Sequence, residues 1–180
     1  MSPSDDTSRL DPLPRLLHGS LPPVEWLPAE EIPPIERGLL AHDRDMTPTL
    51  EEYAGETVGL RRISGFEEDD CVYREVLLTR AASDAPLLYG AIRIHLAPLP
   101  GAVRELVLGH RVPLGTILAN HAVPHESHPA AFFRVKGFSP MLDHWADVDD
   151  GTWCHARRNV LTHRDGSVIA EVVEIIPPQH

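Results

Sequence analysis

The run SVIAEVVEII, residues 167 to 176, constrains the fold of this chain more than any other. It is β-branched and apolar on both faces of a period-two strand, interrupted only by Glu171 and Glu174, so it belongs at the centre of a sheet covered on both sides. Pro177-Pro178 ends it, and Arg164-Asp165-Gly166 supplies the turn that folds it back on the strand Trp153 to Thr162. A buried central strand in an antiparallel hairpin needs further strands beside it and a layer of helices over it. The 180 residues suffice for one domain of that kind.

The rest of the sequence provides those parts. Residues 1–34 hold Pro3, Pro12, Pro14, Pro22, Pro23, Pro28, Pro33 and Pro34, which reads as a lead-in without long regular elements. The domain proper is expected over 35–180. It opens with a short helix at Ile35, Leu39 and Leu40, followed by a second helix that starts at Thr47-Pro48 and stops at Gly55. ETVGLRRISGF is a strand, Glu67 to Asp70 an acidic loop, and VYREVLL the next strand, which AASDAP turns into Leu87 to Leu96. Two helices fall between Pro100 and His121. Ala130 to Val135 is another strand, and Gly137 to Gly151 a long acidic loop. The expected fold class is α+β: about six antiparallel strands with two to four helices on one side.

A formal charge of −11 argues against nucleic acid and anionic membranes as partners, because either would repel most of the surface. No apolar run reaches the 18 residues of a membrane helix, and the N-terminus lacks the order of a signal peptide, so a cytoplasmic protein is expected. Cys71 and Cys154 lack disulfide or zinc spacing and read as free thiols. In NHAVPHESH, Pro124 breaks the turn that would align His121 with His125, so no metal is expected there.

Arg74 is the polar residue most in need of explanation. On its strand it shares a face with Val72, Val76 and Leu78, and an unpaired guanidinium in a core costs several kcal/mol or more. It therefore implies an internal carboxylate. That carboxylate belongs either to the protein, as a buried bridge to Glu171 or Glu174, or to a ligand clamped in a cavity.

Four segments, in order, resemble the chorismate pyruvate-lyase family. They are LLAHDRDMTPTLEEYAGETVGLRRISGF, with one extra residue between Asp43 and Asp45-Met46-Thr47; VYREVLL; LGHRVPLGTIL; and WCHARRNVLTHRDGSVIAEVVEIIP. Together they cover most of residues 35 to 178. The resemblance implies a monomer with an enclosed cavity and no cofactor, acting as a carbon–oxygen lyase that releases pyruvate from chorismate to leave 4-hydroxybenzoate or a close aromatic acid. It places the family's substrate arginine on Arg74, its glutamate on Glu174 with Glu171 as rival, and its backbone contacts on Met46 and Leu114. Arg74 would then bind a carboxylate of the substrate, and Glu174 would meet the ring hydroxyl or exchange a proton during elimination.

Two departures stand out. The family's second arginine is replaced by Ala91 after Gly90, with Arg93 and His95 on the strand face of Ala91 as substitutes for the lost charge, and the loop Gly137 to Gly151 is longer. These departures leave two further readings. One is a dehydratase or cyclase of a specialised-metabolite pathway, with Ala91 giving room for a bulkier substrate. The other is a ligand-sensing module like the effector domains of transcription regulators, which the proline-rich start and acidic charge disfavour.

Overall fold

The computed structural model describes residues 8–18, 21–139 and 141–179; Pro3 and the rest of 1–7, with 19–20, fall in the expected lead-in and lie outside the described residues. Seven antiparallel strands form one sheet: β1 Val24–Trp26, β2 Val58–Glu68, β3 Cys71–Arg80, β4 Pro86–His95, β5 Glu126–Lys136, β6 Trp153–Thr162 and β7 Val168–Ile176. Their order is β1-β5-β6-β7-β4-β3-β2, so β7 is the middle strand, as its two apolar faces require. The helices are α1 Leu13–Leu16, α2 Pro34–Leu40, α3 Met46–Ala54, α4 Gly101–Leu108, α5 Leu114–Asn120 and α6 Met141–His144. The fold class is α+β.

Alternation divides the sheet into two faces. Val72, Ile92, Ile94 and Val172 face a layer that includes Val103 and Val107 of α4 and Ile117 and Leu118 of α5. Beside it, Leu78, Leu88 and Ile176 pack with Leu39 and Leu40 of α2 and Met46 and Leu50 of α3. Proline precedes or occupies the first turn of α2, α4 and α5, where a missing N–H costs nothing, and Gly55 (φ 71°) ends α3 in the left-handed conformation. Asp45 rather than Thr47 precedes α3, an N-terminal extension of the expected helix.

The opposite face carries Tyr73, Leu77, Tyr89, Ala91, Phe133 and Val173. It is covered by Leu10, Leu13 and Leu16 from the chain's start and by Met141, Trp145 and Val148 from the long acidic loop. The described part of the expected lead-in is thus built into the core. It also supplies β1, which pairs Val24 with Val135 and Trp26 with Phe133. The sequence shows no such strand because three residues between prolines are too short to display a period.

Two local features shape the edge beside β2. The β2–β3 hairpin turns on Asp69 and Asp70, both at positive φ (49° and 56°), so the expected acidic loop is a tight two-residue turn and β2 runs on to Glu68. A bulge between Arg62 and Ser64 shifts the register, after which Gly65 lies opposite Arg74. A Cβ on Gly65 would stand 2.4 Å from the Tyr73 carbonyl oxygen, so the close approach of the two strands requires glycine. Among the described residues no helix is long and apolar enough to cross a membrane.

Because Leu13 is fully buried, Leu13→Ala should lower unfolding free energy by about 2–4 kcal/mol. Denaturant titration checks this; a loss within ~0.5 kcal/mol would mean that the segment is only draped on the surface.

Candidate ligand-binding site

Between the sheet and the helices α3 and α5 lies a cavity lined by Arg74, Glu174, Asn159, Met46 and Leu114, together with aliphatic side chains from β2, β3, β4, β6 and β7. Two cross-strand rows form its floor. One runs Arg74, Ile92, Val172, Asn159, and the other Val76, Gly90, Glu174, Arg157. Gly90 keeps the floor low, since a Cβ there would come within 3.2 Å of Val76. The cavity has a volume of about 70 Å³, where one water needs roughly 10–15 Å³ and benzene is held in roughly 150 Å³, so as it stands it suits a short chain and takes a ring only if its roof yields.

The chain's buried charges pair in a way the sequence did not reveal. Glu174 accepts a hydrogen bond from Arg157 Nε, and this arginine is completely buried. Arg157 Nη1 also donates to the carbonyls of Leu40 (3.1 Å) and His42 (2.9 Å), tying β6 and β7 to the end of α2. Burial first, and the Arg157 charge second, hold the His42 imidazole below its usual range. Glu171 lies on the opposite face and meets Arg93 Nε at 3.0 Å and His95 Nε2 at 2.7 Å. Burial alone would raise Glu171, yet the bonds from Arg93 and His95 prevail and hold it below its ordinary value. Arg93 is held above its usual range by Glu171 and reaches Asp11 at 2.8 Å, which pins the start of the chain to this face.

Arg74 has neither carboxylate. It is 1% exposed, and its Nε and Nη1 are buried without a hydrogen-bond partner among the described residues. Desolvation, with a smaller push from Arg62, draws its guanidinium down to about 10, so it remains charged at neutral pH. Across the floor, Asn159 donates through Nδ2 to Ser127 Oγ at 2.9 Å while its buried Oδ1 accepts nothing from the protein. The cavity therefore presents a cation with spare donors at one end of a row and a spare acceptor at the other.

The six residues singled out in the sequence separate accordingly. Arg74, Glu174, Met46 and Leu114 line the cavity, the last two as the first residues of α3 and α5. Arg93 and His95 do not, because they share Ala91's face and that face points away from Arg74, which pairs with Ile92. Ala91 itself is packed against Tyr73, Leu77 and Tyr89, so it neither enlarges the cavity nor removes charge from it. The dehydratase or cyclase reading loses the observation that motivated it. Asn159 was missed as a site residue and Arg157 as the partner of Glu174; their signal was the parity that sets both on the strand face of Leu161.

Other reactive groups are committed elsewhere. Glu75, on the face opposite the cavity, accepts from Tyr89 at 2.6 Å and from Ser64. Cys71 and Cys154 are free and buried, and burial pushes the Cys154 thiol up to about 12, which leaves it unreactive. His125 bonds Asp45 at 2.8 Å and the Val123 carbonyl at 2.8 Å, anchoring the start of α3.

A scan against protein-family models and a search of curated proteins find no match. Solved structures do match. The effector domain of PhnF from Mycobacterium smegmatis aligns over 74% of this chain and 88% of that one, with a TM-score of 0.54 and 11% identity. PhnF from the same organism aligns over 74% of this chain with a TM-score of 0.53 and 12% identity, and the match spans 64% of the PhnF chain. A transcriptional regulator of the GntR family from Enterococcus faecalis V583 aligns over 69% of this chain and 93% of that one, with a TM-score of 0.44 and 11% identity. What this chain shares with the two PhnF structures is the fold, a chorismate-lyase-like α+β architecture.

These likenesses correct three expectations. One PhnF match, aligned over most of its length, is an effector domain, which overturns the expected carbon–oxygen lyase together with its chorismate, pyruvate and 4-hydroxybenzoate chemistry. The expected absence of a nucleic-acid partner falls too. PhnF extends beyond the part that this chain matches, so the negative charge of a domain with this fold does not decide what the whole of such a protein binds. The expected place in secondary metabolism falls with the lyase.

Removing one partner of the buried Arg157–Glu174 pair should be costly: Arg157→Met is expected to lose about 3–5 kcal/mol, and the double variant Arg157→Met/Glu174→Gln to regain most of it. Arg74→Met should instead leave the protein equally stable or about 1–2 kcal/mol more stable, since it removes a buried charge that no carboxylate among the described residues balances. Denaturant unfolding of the three variants checks the contrast, which a large loss at Arg74→Met would contradict.

Proposed function

We propose that this chain is a ligand-sensing effector domain that binds a small organic acid in the cavity between the sheet and α3 and α5. The observation that carries this reading is the unmatched guanidinium of Arg74. It is fully buried and charged, with two nitrogens unpartnered, while the two glutamates of the central strand are taken up by Arg157 and by Arg93 with His95. A carboxylate from a ligand answers that charge with a charge-assisted, two-point contact.

The far end of the ligand is read from the same row. Arg74 and Asn159 lie three strand spacings apart, roughly 14 Å between Cα atoms. A short apolar body, or a ring where the roof yields, fits over Ile92 and Val172, with a hydroxyl or amino group donating to Asn159 Oδ1 or to Glu174. Met46 and Leu114 close the cavity from the helix side. The roles of Arg74, Glu174, Met46 and Leu114 are thus those of a binding site, and the ion pair to Arg157 makes Glu174 a fixed acceptor. The two buried free thiols suit a reducing compartment, in keeping with a cytoplasmic sensor.

The test is a thermal-shift screen of small aromatic and aliphatic carboxylates, beginning with 4-hydroxybenzoate and its neutral counterpart 4-hydroxybenzyl alcohol. At about 100 times Kd, a true ligand should raise Tm by roughly 5–10 °C, the alcohol should do far less, and Arg74→Met should abolish the difference. Equal responses to acid and alcohol, or an undiminished response in Arg74→Met, would remove Arg74 as the anchor.

A further inference from the structure

The far end of the cavity owes its polarity to a residue outside it. Ser127 of β5 pairs with Leu161 of β6, two residues along from Asn159, so the side chains of Ser127 and Asn159 meet diagonally on one face of the sheet. Asn159 is 2% exposed and lines the cavity, whereas Ser127, also buried, stands behind it and does not. The Ser127 hydroxyl donates to the carbonyl of Arg44 (3.4 Å), just before α3. Its single proton is used there, so Ser127 Oγ can only accept from Asn159, and the 2.9 Å bond between them comes from Nδ2.

That bond decides which end of the amide a ligand meets. With Nδ2 held by Ser127, the free group of Asn159 is Oδ1, buried and accepting nothing among the described residues. Glu174 is the diagonal neighbour of Asn159 across β6 and β7, lines the same cavity and is an acceptor too. Its charge is already matched by Arg157, so it does not call for an ammonium group. A carboxylate brought to this end would set its oxygens against Oδ1 and Glu174 and give up its hydration without a donor from either side chain in return. A hydroxyl satisfies Oδ1 with one hydrogen bond and brings no charge.

We propose that Ser127 is a positioning residue for ligand selection: by holding the Asn159 amide it makes the far end of the cavity an acceptor, so the ligand is a short monocarboxylate with a hydroxyl opposite its carboxylate, and dicarboxylates are turned away. The proposal rests on the reading of Arg74 as the anchor of the carboxylate and adds what the other end selects. Without the Ser127 hydroxyl nothing holds Nδ2 in place, the amide is free to turn over, and Nδ2 becomes a donor for a second carboxylate. Removing one buried hydroxyl that touches no ligand then changes the class of ligand preferred, which loss of a merely structural serine would not do.

Isothermal titration of the full chain at pH 7 with 4-hydroxybutanoate, pentanoate, 4-aminobutanoate and pentanedioate measures the preference, pentanoate carrying a methyl where the first has its hydroxyl. The wild type should bind 4-hydroxybutanoate about tenfold more tightly than pentanoate, and the amino acid and the diacid more weakly still. Ser127→Ala should bind pentanedioate roughly tenfold more tightly than the wild type does, while its preference for hydroxyl over methyl shrinks. Asn159→Leu, as a second variant, should reverse that preference in favour of pentanoate, and Arg74→Met should lose all four acids. Wild-type preference for the diacid or the amino acid, or a wild-type order of affinities retained in Ser127→Ala, overturns the proposal and leaves Arg74 as anchor. Undiminished binding by Arg74→Met, or failure of all four acids to bind the wild type, overturns both.

Discussion

The buried pair between Arg157 and Glu174 is the interaction on which the rest of the site depends. One arginine, fully enclosed, satisfies the carboxylate of the central strand and two carbonyls at the end of α2. Such a pair is a poor source of net stability, but once both ions are buried neither can be lost cheaply. Its structural effect is to fix where α2 ends over the sheet and so where α3 begins. Its electrostatic effect is to take Glu174 out of reach of Arg74. With Glu171 held on the other face by Arg93 and His95, the central strand has no acid left for Arg74, and the cation that lines the cavity has no protein counter-ion in this structure.

How much of this was legible follows from parity and its limits. The middle position of β7 was readable because residues 167 to 176 are apolar on both faces, and the hairpin before it because Arg164-Asp165-Gly166 marks the turn. Parity also tells that Glu171 and Glu174, three apart, face opposite ways. It does not tell which of them shares a face with Arg74, since that depends on the register of β3 on β4 and of β4 on β7. Register is set by the packed whole, and here it sends Gly90 and Ile92 toward the cavity and Ala91, Arg93 and His95 away from it. The misplacement of Arg93 and His95 and the false significance of Ala91 share that origin. The strand Val24–Trp26 and the burial of Leu10, Leu13 and Leu16 were hidden for another reason: prolines cut the start of the chain into pieces too short for a period to show.

The functional expectation failed at a different link. An arginine for a carboxylate and a polar group for a hydroxyl describe recognition of a ground state, which enzymes and sensors of one fold share. Catalysis requires contacts that strengthen in the transition state, and residue types on a strand carry no information about that. The likeness to an effector domain shows the fold alone, so the proposal of a sensor stands on the unmatched charge of Arg74. Glu174 illustrates the point, since a carboxylate locked to a buried guanidinium and backed by two backbone carbonyls is well suited to holding an acceptor in place.

Sensing requires that the ligand favour one arrangement of the protein over another, by contacts that exist in only one of them. The cavity is built for such a difference because its floor and roof differ in construction. The floor is a continuous ladder of paired strands. The roof is made of two helix starts that touch: a Cβ on Gly115 of α5 would lie 3.2 Å from Thr47 Oγ1 of α3, and His125 ties α3 back to β5 through Asp45. Loops at helix ends shift at lower cost than a sheet ladder, so on the proposed reading a ligand seated between Arg74 below and Met46 and Leu114 above would favour whichever arrangement of the roof brings these groups together.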